Sequence, residues 1–141
     1  MTTLHPQLAK DCLILGQFSL CTLLLMRDAN YPWFILVPDR EGITEIYQLN
    51  EADQQQLTRE SSQLAAMMMQ FFEGDKMNIG ALGNVVPQLH IHHIVRYKTD
   101  PAWPAPVWGA VAAKPFSDDE LTALTRALKS MEIAGLRWQS V

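Results

Sequence analysis

The 141-residue sequence is poor in cysteine and in charged residues, and it has no excess of basic residues. Two cysteines, Cys12 and Cys21, are too few for the disulfide framework of a small secreted protein. We therefore expect buried, reduced thiols in a cytoplasmic protein, with a bridge across a hairpin as the alternative. The net charge of −4 argues against a nucleic-acid partner, whose phosphate backbone requires a basic surface. A small anionic ligand stays possible, because backbone N–H groups can hold a phosphate.

A long hydrophobic run is also missing. The most apolar segment, residues 12–26, is interrupted by Gly16, Gln17, Ser19 and Thr22 and falls short of the ~20 residues that a membrane-spanning helix needs. It lacks the basic start and small-residue cleavage pattern of a signal peptide. Two short strands joined near Gly16 and Gln17 explain it better, so no membrane partner is expected.

Two helices are predicted from their starting signals. Asn50 is a good N-cap, and the acidic residues that follow it suit the first turn of a helix that ends near Gly74. Ser117 and Glu120 form a capping box for a C-terminal helix over about 117–134. These segments predict one central and one C-terminal helix.

The remaining apolar segments predict strands. They lie at residues 13–18, 20–26, 33–37, 77–82 and 88–96. Apolar residues make up 48% of the sequence, enough for the core of a single domain spanning 1–141. Strands in series with two helices indicate an α+β fold with an antiparallel sheet of about five strands.

Three of the four histidines fall in one segment, Gln88-Leu-His-Ile-His-His-Ile-Val-Arg96. If the whole segment is a strand, Gln88, His90 and His92 share one face and the mostly apolar residues between them share the other. Three explanations remain open: an exposed polar face without function, a metal site, or a histidine nucleophile assisted by a second histidine. The metal site is the weakest, because that face carries no cysteine or third histidine.

The segment from Met77 to His93 resembles the signature of the histidine-triad (HIT) superfamily. That signature is His-φ-His-φ-His-φ-φ, where φ is apolar, after a glycine-containing turn and a strand that bears Asn or Gln. Residues 33–38 with Arg40 and the helix after Asn50 also resemble the family, so the resemblance covers about residues 8–109. It implies a HIT-like fold, a nucleotide substrate, no cofactor, and hydrolysis or nucleotidyl transfer.

The resemblance also implies roles for individual residues. His90 matches the nucleophile that attacks the α-phosphorus, and the backbone carbonyl of Gln88 would orient its ring. His92 would contact the phosphate or protonate the leaving group. For substrate binding, Asp28 matches the acid that contacts the ribose, and the matches around the phosphate are Asn78, Gly83 and Asn84.

The sequence departs from the family pattern at several positions. Gln88 replaces the first histidine, Val85 replaces a frequent Ser or Thr, and Glu41-Gly42 replaces a frequent histidine. His93 occupies an apolar position of the motif, where we expect a packed residue. These departures keep a second hypothesis open, namely a nucleotide-binding module with little or no turnover.

A homodimer is expected from the composition and from the resemblance. The low charged fraction and four tryptophans leave more apolar surface than a compact monomer easily covers. HIT-like proteins are commonly two-fold dimers that bury the central helix and a strand edge. The loop from Trp103 to Trp108 follows the histidine segment, and we expect it to lie beside its own site rather than the partner's.

Overall fold

The computed structural model describes residues 2–140 and confirms the α+β fold. Its helices and strands, in chain order, are α1 Pro6–Asp11, β1 Cys12–Gln17, β2 Cys21–Met26, β3 Trp33–Pro38, α2 Glu51–Phe72, β4 Lys76–Gly80, β5 Ile91–Arg96, α3 Asp118–Lys129 and β6 Arg137–Trp138. All strands pair antiparallel in one sheet of order β4-β5-β3-β2-β1-β6. The short strand β6 brings the sheet to six strands, one more than predicted.

Both faces of the sheet are covered at its central strands, so an exposed polar face without function, one of the three explanations left open for the histidine segment, does not hold. On one side, α2 and α3 pack over a core that includes Phe34, Leu57, Leu64, Val95 and Leu128. On the other side, α1 and the loop after β5 cover a second cluster that includes Leu24, Trp33, Ile35, Ile94 and Val107. Every residue of β3 and β5 is therefore buried.

The predicted strand 88–96 is shorter than expected. β5 begins only at Ile91, so Gln88 and His90 lie in the loop that leads into it. His90 and His92 are 7% and 5% exposed. Both imidazole rings are therefore buried. Hydrogen bonds to the Gln88 carbonyl and to Trp33 hold the two rings, so strand alternation alone does not set their orientation.

A buried carboxylate fixes helix α2 to the sheet. Asn50 caps the helix by accepting from Asp53 N, as its sequence predicts. In the middle of the helix, Glu60 is 1% exposed and accepts hydrogen bonds from the backbone N–H groups of Leu20 and Cys21 at 3.0 and 2.9 Å. The carboxylate thus accepts hydrogen bonds from two backbone N–H groups at the turn between β1 and β2, and it ties α2 to that end of the sheet.

Both cysteines are free and buried. Burial raises the pKa of the Cys12 thiol to about 12, so it stays protonated at neutral pH. Within residues 2–140, no helix has the length and apolar character needed to cross a membrane.

Candidate active site

His90 is held by the main chain two residues before it. Its Nδ1 lies 2.8 Å from the carbonyl oxygen of Gln88. Because a carbonyl can only accept, Nδ1 carries the proton and Nε2 of the neutral ring has a free lone pair. The ring is therefore oriented to use Nε2 as a nucleophile or as a hydrogen-bond acceptor.

His92 is held in the opposite tautomer. Trp33 Nε1 donates to His92 Nδ1 at 3.0 Å, so the proton of the neutral ring lies on Nε2. Burial, with the neighbouring His90 and His93, lowers the pKa of His92 to about 3. The His90 and His92 ring centroids are 4.8 Å apart. The two rings therefore offer a lone pair on His90 Nε2 and a neutral N–H donor on His92 Nε2.

The side chain of Gln88 is not directed to this pair. Its Oε1 accepts from the backbone N–H of His5 at 2.7 Å, and its Nε2 donates to the carbonyl of Thr3 at 3.2 Å. Gln88 thus uses its main chain to orient His90 and its amide to hold the segment before α1. The sequence gives no local sign of this second role, because 83 positions separate Gln88 from His5.

A cavity of about 430 Å³ is lined in part by Asp28, Val107 and the rings of Trp33 and Trp108, both of which also contact His92. Asp28 is 6% exposed, and its Oδ1 accepts from the backbone N–H groups of Asn30 and Lys114 at 2.9 and 3.2 Å. Among residues 2–140, no hydrogen bond engages its Oδ2. The cavity therefore combines aromatic walls, which suit a flat ring, with an oriented carboxylate oxygen, which suits a hydroxyl group.

Trp108 connects this cavity to the histidine pair. Its ring centroid lies 5.3 Å from that of His92 and 6.4 Å from that of Trp33, both in edge-to-face contacts. Gly80 makes room for it, since a Cβ there would lie 3.2 Å from Trp108 Cη2. The Trp103–Trp108 loop thus lies beside the site of its own chain, where Trp108 forms a wall.

The other predicted substrate-binding residues, Gly83, Asn78 and Asn84, fall in different parts of the structure. Gly83 lines a narrow cleft together with His90. Asn78 lies on β4, where its Oδ1 accepts from Arg96 Nη1 at 2.8 Å. Asn84 is exposed to solvent and is not part of the lining of that cleft. The structure therefore brings together Gln88, His90, His92 and Gly83, and places Asp28 in the cavity that Trp108 also lines. Asn78 is bound to Arg96, and Asn84 lies in the exposed turn.

A buried ion pair that sequence reasoning missed holds the loop bearing Trp108. Arg96 and Asp100 have side chains 1% exposed, joined by contacts of 2.8 and 3.0 Å. Arg96 Nη2 also donates to the carbonyl of Ala105 at 2.9 Å. Burial raises the pKa of Asp100. Hydrogen bonds from Arg96 and from the backbone of Tyr97, Trp103 and Ala102 lower it by more, so that the pKa is about 2. The sequence signal that could have predicted this ion pair is an arginine at the end of a strand, four residues before an aspartate.

His93 lies on the opposite face of β5, under α2. It is fully buried; its Nδ1 lies 3.0 Å from the carbonyl of Ile91, and its Nε2 lies 2.7 Å from Ser61 Oγ. Burial lowers its pKa from 6.5 to about 4, although the Ile91 carbonyl acts in the other direction. His93 is thus a neutral packing residue that bridges the sheet and the helix.

Replacing His93 with valine should make the fold less sensitive to acid. An unfolded histidine takes up a proton near pH 6.5, but folded His93 stays neutral down to about pH 4. Protonation therefore favours the unfolded chain, and stability falls by up to ~1.4 kcal/mol per pH unit as pH drops through that window. We expect His93→Val to cost about 1 kcal/mol at pH 7, where Ser61 loses its partner, and to flatten the decline below pH 6.5.

Urea unfolding at pH 7.0, 6.0 and 5.0 measures this effect. His5→Val is the matched control, because it removes a histidine from the loop before α1 rather than from beneath α2. Equal acid slopes in wild type and His93→Val would contradict the assignment of His93 as a buried neutral base.

Among residues 2–140, no group of three or more His, Cys, Asp or Glu side chains is arranged to hold a metal ion. The protein-family comparison gives a match to the HIT domain over residues 7–99. A search of the curated proteins finds no match.

Solved structures of histidine triad proteins resemble the chain over most of its length. The protein from Marinobacter aquaeolei VT8 is 52% identical with a TM-score of 0.89, over 92% of this chain and 95% of that chain. The protein from Bradyrhizobium japonicum is 41% identical with a TM-score of 0.88, over 91% and 96%. That from Sinorhizobium meliloti 1021 is 41% identical with a TM-score of 0.87, over 91% and 95%.

Proposed function

Because the chain belongs to the histidine-triad (HIT) family, we propose that it cleaves a nucleoside phosphate conjugate, of the phosphoramidate or dinucleoside polyphosphate type, through a nucleotidyl-histidine intermediate. The observation that carries the proposal is the 2.8 Å contact between His90 Nδ1 and the Gln88 carbonyl. It leaves the Nε2 lone pair of His90 available to attack phosphorus.

The proposed reaction has two displacements at the same phosphorus. The His90 Nε2 lone pair forms a bond to the α-phosphorus, and the bond to the leaving atom breaks, with its electron pair and a solvent proton going to that atom. Water then attacks the phosphorus, the P–N bond to His90 breaks, and the water proton goes to solvent. His92 stays neutral and donates its Nε2–H to a phosphoryl oxygen, because its low pKa makes it a hydrogen-bond donor rather than a carrier of a second proton.

The cavity lined by Asp28, Trp33 and Trp108 is the proposed nucleoside site. Its aromatic walls suit a base, and Asp28 Oδ2 suits a ribose hydroxyl. Trp108, in contact with His92, would close the cavity next to the phosphate.

Mass spectrometry after incubation with a nucleoside phosphoramidate and a dinucleoside polyphosphate tests the proposal. We expect mononucleotide to be released and a nucleotidyl adduct on the peptide that contains His90. Since the proposed reaction needs no metal, both results should persist in EDTA. Neither product nor adduct from either class of compound would contradict the enzyme proposal.

A nucleotide-binding module with little or no turnover is the second candidate. Val85 supports it, because this residue is 82% exposed in the turn before His90 and has no hydroxyl to offer the phosphate or the leaving group. Tight binding of nucleotide without adduct or product would favour this candidate.

We also propose a homodimer formed through the β4 edge of the sheet. β4 has a neighbour on one side only, and nearby apolar side chains are exposed: Ile79 by 52%, Leu82 by 41% and Phe71 by 36%. A two-fold partner would pair this edge and cover those side chains. Such a dimer would work in the cytoplasm on a small nucleotide, and no nucleic acid is expected as a partner.

Light scattering should give twice the chain mass of 15.9 kDa. Replacing Ile79 with lysine should shift the mass toward the monomer, while Ile14→Lys on β1 is the matched control, because Ile14 is 37% exposed and lies away from that edge. A wild-type mass near 15.9 kDa in dilute solution would overturn the dimer.

A further inference from the structure

The Asp28 cavity has further charged side chains where α1 ends and β2 ends. Lys10 and Asp11 are the last two residues of α1, Arg27 follows β2, and all three line the cavity together with Asp28. Arg27 N donates to the carbonyl of Asp11 at 2.9 Å, so these two residues lie side by side. Lys10, Asp11 and Arg27 thus form a charged rim of the proposed nucleoside site.

The order of the strands places the charged rim across the sheet from the histidines. In the sheet, β5, β3, β2 and β1 are neighbours in that order. Three strand spacings of about 4.8 Å, roughly 14 Å in all, therefore separate β5 from β1. His92 is on β5, Asp28 follows β2, and Asp11 directly precedes β1. A nucleotide with its phosphate at His92 and its ribose at Asp28 would therefore extend its base toward the charged rim.

The groups of the charged rim have few partners within the protein. Asp11 Oδ2 accepts from Gln7 Nε2 at 2.8 Å, and no hydrogen bond within residues 2–140 engages its Oδ1. In the same residues, the side chains of Lys10 and Arg27 have no hydrogen-bond or ion-pair partner. Asp11 is partly buried, while Lys10 and Arg27 are exposed. The charged rim therefore offers an oriented carboxylate oxygen beside cationic donors.

This combination of groups matches one purine edge best. Guanine presents two N–H donor groups, N1–H and the 2-amino group, next to the acceptor O6. A carboxylate can accept from both donors while a neighbouring cation donates to O6, and each of these hydrogen bonds is charge-assisted. Adenine offers a single donor group on the same edge and no carbonyl oxygen, so it satisfies the charged rim only in part. A pyrimidine has one ring and reaches less far from the ribose.

We infer that the charged rim makes the proposed nucleoside site selective for guanine. In this arrangement, Asp11 accepts from N1–H and the 2-amino group, and a cation of the rim donates to O6. The inference rests on the proposed function, because the position of the base follows from the phosphate at the histidine pair and the ribose at Asp28. It names the substrate class as a guanosine 5′-phosphate conjugate.

Three nucleotides that differ only at the purine edge test the inference. GMP has both donor groups and O6, IMP lacks the 2-amino group, and AMP has a 6-amino group in place of O6 and no N1–H. Asp11→Asn keeps the shape and an acceptor for Gln7 but loses the carboxylate. Asp119→Asn makes the same exchange at an exposed position of α3 and is the matched control. The readout is the Kd of each nucleotide, measured by titration calorimetry at one ionic strength.

We expect wild type to bind GMP about tenfold more tightly than AMP, with IMP between them, because hydrogen bonds to a charged group contribute more than neutral ones. Asp11→Asn should remove most of this preference by weakening the binding of GMP, while Asp119→Asn should keep it. Equal Kd values for GMP and AMP in wild type, or an undiminished preference in Asp11→Asn, would overturn the inference. If adenosine 3′,5′-bisphosphate binds more tightly than GMP, the cations hold an anion rather than O6, and the inference fails.

Turnover separates this inference from the proposed function. The 5′-phosphoramidates of guanosine and adenosine are compared by kcat/KM, and Asp11→Asn should lower the ratio of the guanosine to the adenosine value about as much as it lowers the preference in Kd. If neither phosphoramidate is turned over, the proposed reaction fails, yet the Kd values still test the charged rim. If both are turned over equally well and GMP and AMP bind equally, the reaction stands and the selection for guanine is rejected.

Discussion

Replacing His90 with alanine is expected to lower turnover by a factor on the order of 10⁴ or more and to abolish the nucleotidyl adduct. Loss of a nucleophile removes the covalent route altogether, which corresponds to roughly 5 kcal/mol of barrier. Steady-state kinetics with a nucleoside phosphoramidate and mass spectrometry of the trapped protein measure the two effects.

The fold should survive this substitution. The His90 ring hydrogen-bonds to the Gln88 carbonyl, and the residue lies in the loop before β5 rather than in the strand. Thermal unfolding checks the fold, and added imidazole should restore part of the turnover by serving as a nucleophile in solution.

His93→Val is the matched control. It removes a histidine three positions away, on the opposite face of the sheet, and should retain turnover at pH 7.5. Near-normal turnover in His90→Ala, or an equally deep loss in His93→Val, would show that the nucleophile has been assigned wrongly.

The elements that sequence reasoning predicted well are those with local signals. Asn50 and the Ser117–Glu120 pair cap their helices as their side-chain chemistry requires. The apolar segments of β2 and β3 can be satisfied only by burial, so they predict strands whatever their neighbours are. These signals need no knowledge of distant contacts.

The features that sequence reasoning did not predict have long-range causes. Strand β6 is two residues long and depends on pairing with β1, which is distant from it in the sequence. The polar side chains of Gln88, His90 and His92 left an exposed face among the three explanations open from the sequence. That face is instead covered by the loop after β5, and its polar groups are satisfied individually by Trp33, by a main-chain carbonyl and by the segment before α1.

Gln88 illustrates the limit most clearly. The sequence identifies it as a substitution within the histidine motif, and the carbonyl that orients His90 is available from any residue at that position. Its amide, however, has partners 85 and 83 positions away, so its role in holding the segment before α1 is visible only in the fold.

The buried pair of Arg96 and Asp100 gives the largest expected effect on stability. Replacing Asp100 with alanine would leave the guanidinium of Arg96 buried without its carboxylate, which costs about 3–5 kcal/mol where a buried pair is broken on one side. It would also remove the acceptor of the backbone N–H groups of Tyr97, Ala102 and Trp103. The loop that brings Trp108 to His92 should loosen, so we expect a higher KM for nucleotide substrates together with the loss of stability.

Urea unfolding at pH 7 and a KM measurement test this prediction, with two comparison variants. Asp100→Asn keeps the shape and some backbone contacts but loses the charge, and should fall between wild type and Asp100→Ala. Arg96→Met combined with Asp100→Ala removes the stranded charge and should recover part of the stability, because an apolar side chain fills the space without desolvating a cation. The same double variant should not recover KM, since Arg96 also binds the Ala105 carbonyl and Asn78. If Asp100→Ala unfolds within ~1 kcal/mol of wild type, the pair does not stabilise this loop, and the position of Trp108 beside His92 must depend on the aromatic contacts alone.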